Sequence, residues 1–534
     1  THAAVPPAEN FGVLPAIYDA AISPDASKIA SIVNYKGGYV VTIRELADLS
    51  VPPRFLALGD GVKPGYVKWA NNTHVIVSYW QSEVYRNTPL RTGYLYSLNA
   101  NTMKGDVLVR PPKAKGGTGS RLGKVTIFRQ FNNVVVDWLE GDPDHILMAF
   151  SNDDNNNAEP DIRKVNIRTG KEHLVENGVS GIQSWYTDNT GSPRVGQGRL
   201  DNKDADWIMR IRSAADGKWH DSKDYPGLAA NARIHGFTSD ANELVINSYQ
   251  GKDTIGLYVY DLVQKRITRK IYHNDSYDAT GVIMSKGDNE IIGVRYTSDT
   301  DEVEMLGNND TILGTMRRKY DGYTIDFVDQ SEDGQTVLFK ASNPYTPGAM
   351  MIATGRGGTP QNVGSLRPLL KSADMGEVIT VSYEARDGVE IPAYITVPPS
   401  ITSTSMLKNI PFIVLPHGGP YARNSKRFDD FAQFFASRGY GVLQMDFRGS
   451  KGYGKSFESA GRKNWVVMQD DVEDGTKWLR NKGYSDPKRT CIAGWSYGGY
   501  AALQSAVTVP DLFKSVVAIA PVTDLRTLKN DAKG

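Results

Sequence analysis

Residues 491–502 read CIAGWSYGGYAA: a short apolar strand, a tight turn with Ser496 at its apex, and a helix of small residues. Gly494-Trp495-Ser496-Tyr497-Gly498 has the form G-x-S-x-G, with Gly499 directly after it. A serine on a sharp strand-to-helix turn is how an α/β-hydrolase sheet presents a nucleophile. The flanking glycines let the backbone turn tightly without Cβ clashes. The helix N-terminus beneath the serine favours developing negative charge. A purely structural Gly-rich turn is the bland alternative. An oxyanion also needs two preorganised N–H donors. One comes from Tyr497, the residue after the nucleophile. The other comes from a loop after an earlier strand, where HGGP lies at 417–420.

Working outward, residues 373–534 alternate strand and helix. VITVSYEARDGVEIPAYITVP reads as a hairpin around Asp387-Gly388. PFIVLP is a strand leading into HGGP, and RFDDFAQFFASRG is an amphipathic helix ending at Gly439. YGVLQMDFRGS is a strand, and MQDDVEDGTKWLRNKG a helix closed by Gly483. RTCIAGWS and FKSVVAIAPV are strands on either side of the helix YGGYAALQSAV. This alternation implies a parallel sheet covered by helices on both faces.

From 16 to 372 the pattern is different. Short Val/Ile/Tyr-rich runs are split by Asp, Asn and Gly turns, with no long helical period. AAISPDASKIASIV, VKWANNTHVIVSY, IHGFTSDANELVIN and IDFVDQSEDGQTVLF share one plan of strand, polar turn and strand. Seven such turns fall near Asp25, Asn72, Asp144, Asp188, Asp240, Asp288 and Asp333. Most are spaced like the blades of a propeller. The expectation is a seven-bladed β-propeller, with Trp69, Trp138 and Trp185 as blade core. The longer gap between the second and third turns holds the basic Gly-rich stretch RPPKAKGGTGSRLGK. It reads as a solvated insertion, or else as a lid or subunit contact. Residues 1–15 form an irregular extension.

Composition narrows the function. The chain has 534 residues, 40% of them hydrophobic, and a formal net charge of +1. That balance gives no support for nucleic acid or an anionic membrane surface as partner. No apolar run approaches the ~20 residues of a membrane helix. One cysteine, Cys491, excludes internal disulfides and cysteine-rich metal sites. It sits in an apolar strand and reads as a packed thiol. Nothing calls for a cofactor or a metal. The chain begins at Thr1. A processed start after export to the periplasm or beyond is expected, with a cytoplasmic location as the alternative.

HGGP, DFRGSKGYGKSF and GWSYGGY, in that order behind a propeller, resemble the prolyl oligopeptidase family of serine peptidases across essentially the whole chain. The resemblance implies Ser496 as nucleophile and the main-chain N–H groups of Gly419 and Tyr497 as oxyanion hole. Arg448 would support the site without acting in the chemistry. The triad Asp and His would lie on loops after the next two strands. The eight histidines end at His417, and none follows Ser496. His417 precedes the nucleophile, whereas the order on this fold is Ser, Asp or Glu, then His, which argues against His417 as the base. The expectation is therefore a hydrolase domain truncated before its triad Asp and His, silent by itself. The remainder would be a separate fragment or be missing from the sequence. A naturally decayed hydrolase is the alternative.

The implied activity is hydrolysis of short peptides, with the propeller restricting substrate size. An esterase on the same fold and a non-enzymatic propeller scaffold are the competing readings. Within the family, the dipeptidyl-peptidase IV branch carries an adjacent Glu pair, and this sequence has none. Its P1 pocket is aromatic, whereas the corresponding positions here are Val522, Leu525 and Leu528. Both departures favour the acylaminoacyl-peptidase or oligopeptidase branch, with an uncharged, apolar P1 side chain. Self-association is left open.

Overall fold

The structure, a computed structural model, describes residues 5–85, 87–110, 129–150, 159–200, 206–286, 289–307, 311–524 and 527. Most of the basic stretch at 110–124, the turn residue Asp288, and Leu525 and Leu528 lie outside the described residues.

Seven antiparallel sheets follow one another along 17–57, 63–107, 135–176, 182–221, 234–272, 279–305 and 324–365. Five have four consecutive strands in sequence order, the second has four plus the short strand Phe131–Asn132 running parallel to Thr88–Asn99, and the sixth has three described strands. This is the expected seven-bladed propeller. Each blade is one contiguous segment, so the ring closes by packing. Ile17, Ala20 and Ile22 of the first blade pack on Leu338, Met350 and Ile352 of the seventh. Two hydrogen bonds join the same blades, Ile22 N–H to Asp329 Oδ2 at 3.1 Å and Glu332 N–H to Pro24 O at 2.8 Å.

In six of the blades the described turn between the first two strands has one chemistry. A carboxylate or amide oxygen accepts the N–H two residues on, which mimics a backbone turn. Asp25 accepts from Ser27 N–H at 3.0 Å, Asp188 from Thr190 at 3.0 Å, Asp240 from Asn242 at 2.8 Å and Asp333 from Gln335 at 2.9 Å. In the second and third blades the acceptor is Asn71 and Asp142 rather than Asn72 and Asp144. Asn72 instead reaches the first blade, taking Asp25 N–H at 2.9 Å, and Asn71 Nδ2 reaches the third at Pro143 O, 2.6 Å away.

Trp69 and Trp185 are blade core. Both are buried, and each indole N–H donates to the preceding blade, to Ala21 O at 3.0 Å and Pro160 O at 2.8 Å. Trp138 packs at the edge of the core shared by blades two and three. It is half-buried, lies under the Lys68 ammonium at 4.6 Å, and lines a cavity of about 800 Å³ at the turn end of the ring. Two short helices before the C-terminal domain were not legible in the sequence. Ile312–Lys319 buries Ile312, Leu313 and Met316 in the core shared by blades six and seven. Ala8–Gly12 lies in the extension expected to be irregular, and its Phe11 meets Phe434 edge-on at 5.6 Å.

The C-terminal sheet runs Val378–Glu384, Glu390–Thr396, Gly441–Met445, Ile410–Val414, Ser485–Trp495, Val516–Ile519. The first two strands form the predicted hairpin, Gly388 taking φ 83° in its turn. From Gly441–Met445 onward neighbours are parallel. Phe412, Val414, Leu443, Met445 and Ile492 are fully buried at the sheet's centre. Helix Asp430–Ala436 is capped by Asp429, whose carboxylate accepts Ala432 N–H at 2.8 Å. Helices Lys455–Lys463, Trp465–Asn481 and Tyr497–Thr508 complete the domain.

Several sets of contacts join the domains. Beside the connecting segment, Arg367 pairs with Asp430, and Gln433 Nε2 donates to Pro344 O at 2.9 Å. Elsewhere Arg423 donates to the carbonyls of Thr297 at 3.0 Å and Ser298 at 2.7 Å. Between the domains lies a cavity of about 620 Å³ lined in part by Asn247, Tyr249, Asp278, Tyr421, Arg423 and Glu458.

Candidate active site

Ser496 stands between the end of strand Ser485–Trp495 and the start of helix Tyr497–Thr508, with φ 56° and ψ −116°. That backbone conformation is rare and strained for a residue with a side chain. It persists because the surroundings fix it. Ser496 N–H donates to Ile519 O at 3.0 Å, and Tyr500 N–H donates to Ser496 O at 3.0 Å. A Cβ on Gly494 would come within 2.1 Å of Gly498 O, and one on Gly498 within 2.2 Å of Pro416 O. Both positions therefore require glycine.

The HGGP loop is pressed onto this turn. A Cβ on Gly418 would sit 3.6 Å from Ser496 Cβ and 3.1 Å from Trp495 O. Gly419 adopts φ 124°, and a Cβ there would meet Tyr421 N at 2.6 Å. The structure thus brings the loop bearing Gly419 against the turn that carries Ser496 and the helix start at Tyr497. Tyr497 is the first residue of its helix, where N–H groups lack an intrahelical acceptor. Its ring is buried against Phe447 at 5.3 Å and Trp465 at 5.4 Å, which anchors the helix start.

His417 is buried beside the nucleophile, but both ring nitrogens are committed elsewhere. Nδ1 lies 2.7 Å from Gly418 O, Nε2 lies 2.9 Å from Ser450 Oγ, and the ring stacks on Phe447 at 4.3 Å. A carbonyl can only accept, so Nδ1 carries the proton and donates to Gly418 O. Ser450 Oγ also lies 2.7 Å from Phe447 O, so its single proton is shared between that carbonyl and Nε2 of the neutral ring. Burial pushes His417 below the ordinary imidazole range, in keeping with that neutral form. Asp446, fully buried, faces it at 3.8 Å and accepts from Asn424 N–H at 2.6 Å and from Tyr453 Oη at 2.6 Å. Its carboxyl is pushed up, desolvation being the main cause. His417 therefore braces the loop, and sequence order alone gave no hint of this role.

Arg448 is buried, and its guanidinium grips Asp471 at 2.6 Å and reaches Asp387 at the hairpin turn. With its donors on carboxylates, it fixes the loop after strand Gly441–Met445 to helix Trp465–Asn481. Val522 is half-buried, and its N–H points at Ser496 O at 3.4 Å. It is the one predicted pocket residue among the described residues. No group of three His, Cys, Asp or Glu side chains among the described residues is placed to hold a metal ion. No described helix is long and apolar enough to cross a membrane.

Comparison with known proteins points the same way as the geometry. Residues 426–533 match the Prolyl oligopeptidase family. The chain is 27% identical over 387 residues to dipeptidyl aminopeptidase BIII of Pseudoxanthomonas mexicana, covering 69% of this chain and 54% of that protein. It is 26% identical over 386 residues to dipeptidyl peptidase family member 6 of Caenorhabditis elegans, covering 68% and 49%. The chain thus spans about half the length of these curated relatives. Among solved structures, an acylaminoacyl peptidase of Pyrococcus horikoshii superposes with TM-score 0.62 at 14% identity, over 97% of this chain and 80% of that one. Prolyl oligopeptidase B from Galerina marginata gives TM-score 0.66 at 15% identity, over 97% and 75%. At such identities the likeness establishes the fold.

Proposed function

Since residues 426–533 form a prolyl oligopeptidase family domain, we infer that the protein is a serine peptidase that cleaves short peptides through an acyl-enzyme on Ser496. The observation behind this is the strained Ser496 turn with the Gly418-Gly419 loop packed against it. In the reaction, Ser496 Oγ gives up its proton and attacks the scissile carbonyl, the peptide C–N bond breaks, and the proton departs on the leaving amine. Water then releases the acyl group. The N–H groups of Gly419 and Tyr497 receive the developing oxyanion.

The propeller contributes access control. The cavity of about 620 Å³ between the domains has the size of a peptide or small-ligand site. Peptides of at most some tens of residues are accepted in this reading, and folded proteins are spared. Rapid digestion of a native globular protein would contradict it.

The relatives' names divide over where the chain is cut. The two curated relatives are dipeptidyl peptidases, whereas the solved structures include an acylaminoacyl peptidase and prolyl oligopeptidases. The missing Glu pair and aliphatic Val522 support the acylaminoacyl or oligopeptidase branch. A matched pair of dipeptide reporters, one with a free amino terminus and one acetylated, separates the two. Preference for the acetylated reporter is expected.

The central reading is tested on the full-length protein with a fluorophosphonate. Wild type takes up one label at Ser496, and Ser496→Ala takes up none while still binding peptide. Labelling that survives in the alanine variant would identify a different nucleophile. An ester reporter cleaved far faster than every peptide would favour an esterase.

A further inference from the structure

Helix Lys455–Lys463 begins at Gly454, a residue with φ 88° and no side chain to cap the exposed N–H groups. The cap comes from the other domain. Asp253, in the fifth blade, takes Ser456 N–H at 2.9 Å and Ser456 Oγ–H at 2.6 Å on its carboxylate, and Lys455 N–H at 2.9 Å on its carbonyl. A Cβ at Gly454 would lie 2.4 Å from Asp253 Oδ2, so glycine makes room for this approach. Nearby, Asp278 N–H donates to Gly452 O at 3.0 Å, which pins the segment leading into the helix to the sixth blade.

One turn further on, the same helix reaches the HGGP loop. Glu458 accepts from Arg462 Nε at 2.9 Å and from Nη2 at 2.6 Å. This pair holds the guanidinium 3.8 Å from the centre of the Tyr421 ring. Tyr421 follows Gly419 by two residues, and the loop carrying both rests on Ser496. A capped helix start, an ordered i,i+4 pair and a cation–π contact thus form one continuous path.

We propose that Asp253 and Arg462 are positioning residues through which the propeller sets the oxyanion loop, so that hydrolase competence depends on blade five being docked. The proposal rests on the acyl-enzyme reading of Ser496 for its consequence in rate, but not for its structural content. A carboxylate at a helix N-terminus is favourable in charge and in hydrogen bonding, and an Asn in its place keeps the accepting oxygen.

The test uses Asp253→Ala, Asp253→Asn and Arg462→Gln in the full-length protein, with two readouts. The first is amide hydrogen exchange over 416–424 and 455–463. Asp253→Ala is expected to raise exchange in both segments, and Arg462→Gln in 416–424 alone. Asp253→Asn should stay near wild type in both. The second is the rate of fluorophosphonate labelling, with kcat and KM for a short peptide. Moving a donor away from the oxyanion costs rate rather than binding, so kcat and labelling should fall about tenfold in Asp253→Ala and Arg462→Gln with KM nearly unchanged. Faster exchange at 455–463 in Asp253→Ala with 416–424 and the labelling rate unchanged would overturn the proposal and leave Asp253 a local cap. If wild type takes no label, it is the Ser496 reading that fails, and the exchange of 416–424 still decides the path.

Discussion

The carbonyl oxygen of Gly498 lies 2.1 Å from the point where Gly494 would carry a Cβ. The first turn of the helix is thereby folded back over the end of the nucleophile strand, and Ser496 between them is forced to φ 56°. Because the obstructing atom is backbone, no rotamer change relieves the contact. Gly494→Ala should therefore cost at least about 3 kcal/mol, the upper end of overpacking penalties, and lose fluorophosphonate labelling. Urea unfolding of the purified variant checks the first part. A variant of unchanged midpoint would mean that the turn is softer than its geometry implies.

Arg448 and Asp471 lie together in the interior, 2.6 Å apart, with Asp471 fully buried. The pair's own net contribution is small, because both charges lost their water on burial. Removing one partner is different, since it strands the other. Arg448→Met should destabilise the hydrolase domain by about 3–5 kcal/mol. Arg448→Met combined with Asp471→Leu should recover most of that loss. Thermal or urea midpoints for the single and double variants measure it, and equal losses in both would place the cost in packing instead of charge.

The parts of the fold that were legible in the sequence are those set by short-range physics. The Ser496 turn was legible because glycine is the one residue that tolerates those backbone contacts. The blades were legible because the first turn in six of them, as described, places an Asp or Asn where its side chain can take an N–H two residues on. The acceptor slipped by one or two residues at Asn71 and Asp142 because NN and DPD offer competing candidates, and only inter-blade hydrogen bonds choose between them. Helix Lys455–Lys463 was missed for a related reason. Gly454 gives no capping signal of its own, since the cap is Asp253, about 200 residues earlier in the chain. The Glu458–Arg462 spacing was the one local hint. His417 was correctly set aside as a base by chain order, but its bracing role needed Ser450 and Phe447 brought to it by the fold.

Stability at low pH offers a check on the blade-turn chemistry. Lys164 at 2.6 Å, with His145 at 3.0 Å, holds the Asp142 carboxyl at about 2, below its ordinary 3.8. A carboxyl depressed on folding contributes stability that is present above its unfolded pKa. That contribution is lost as pH falls through the folded value, here between about pH 4 and about pH 2. Asp142→Asn lacks this titration. Its urea midpoint should lie below wild type above about pH 5, and the margin should narrow as pH falls from about 4 to about 2. The group is on the surface, so the margin is small and shrinks in high salt. A gap that is independent of pH would assign the loss to hydrogen-bond geometry alone.

The role of His417 can be decided by the size of one effect. If its Nε2 took the proton from Ser496, the change His417→Gln would remove the general base, and turnover would fall on the order of a millionfold. The geometry argues otherwise. Nδ1–H donates to Gly418 O at 2.7 Å, and Nε2 faces Ser450 Oγ at 2.9 Å, on the loop after strand Gly441–Met445. What the imidazole supplies is one hydrogen bond to the loop that packs on the nucleophile, plus its stack on Phe447. A single neutral hydrogen bond is worth about 1 kcal/mol, or roughly tenfold if all of it is lost in the transition state. His417→Gln keeps an N–H donor of similar reach but loses the flat ring. Its labelling rate in the full-length protein should therefore fall by about tenfold or less, and the pH at which activity reaches half its maximum should not move. A loss above about a thousandfold, or an acid limb that vanishes in the glutamine variant, would return His417 to the chemistry as the base.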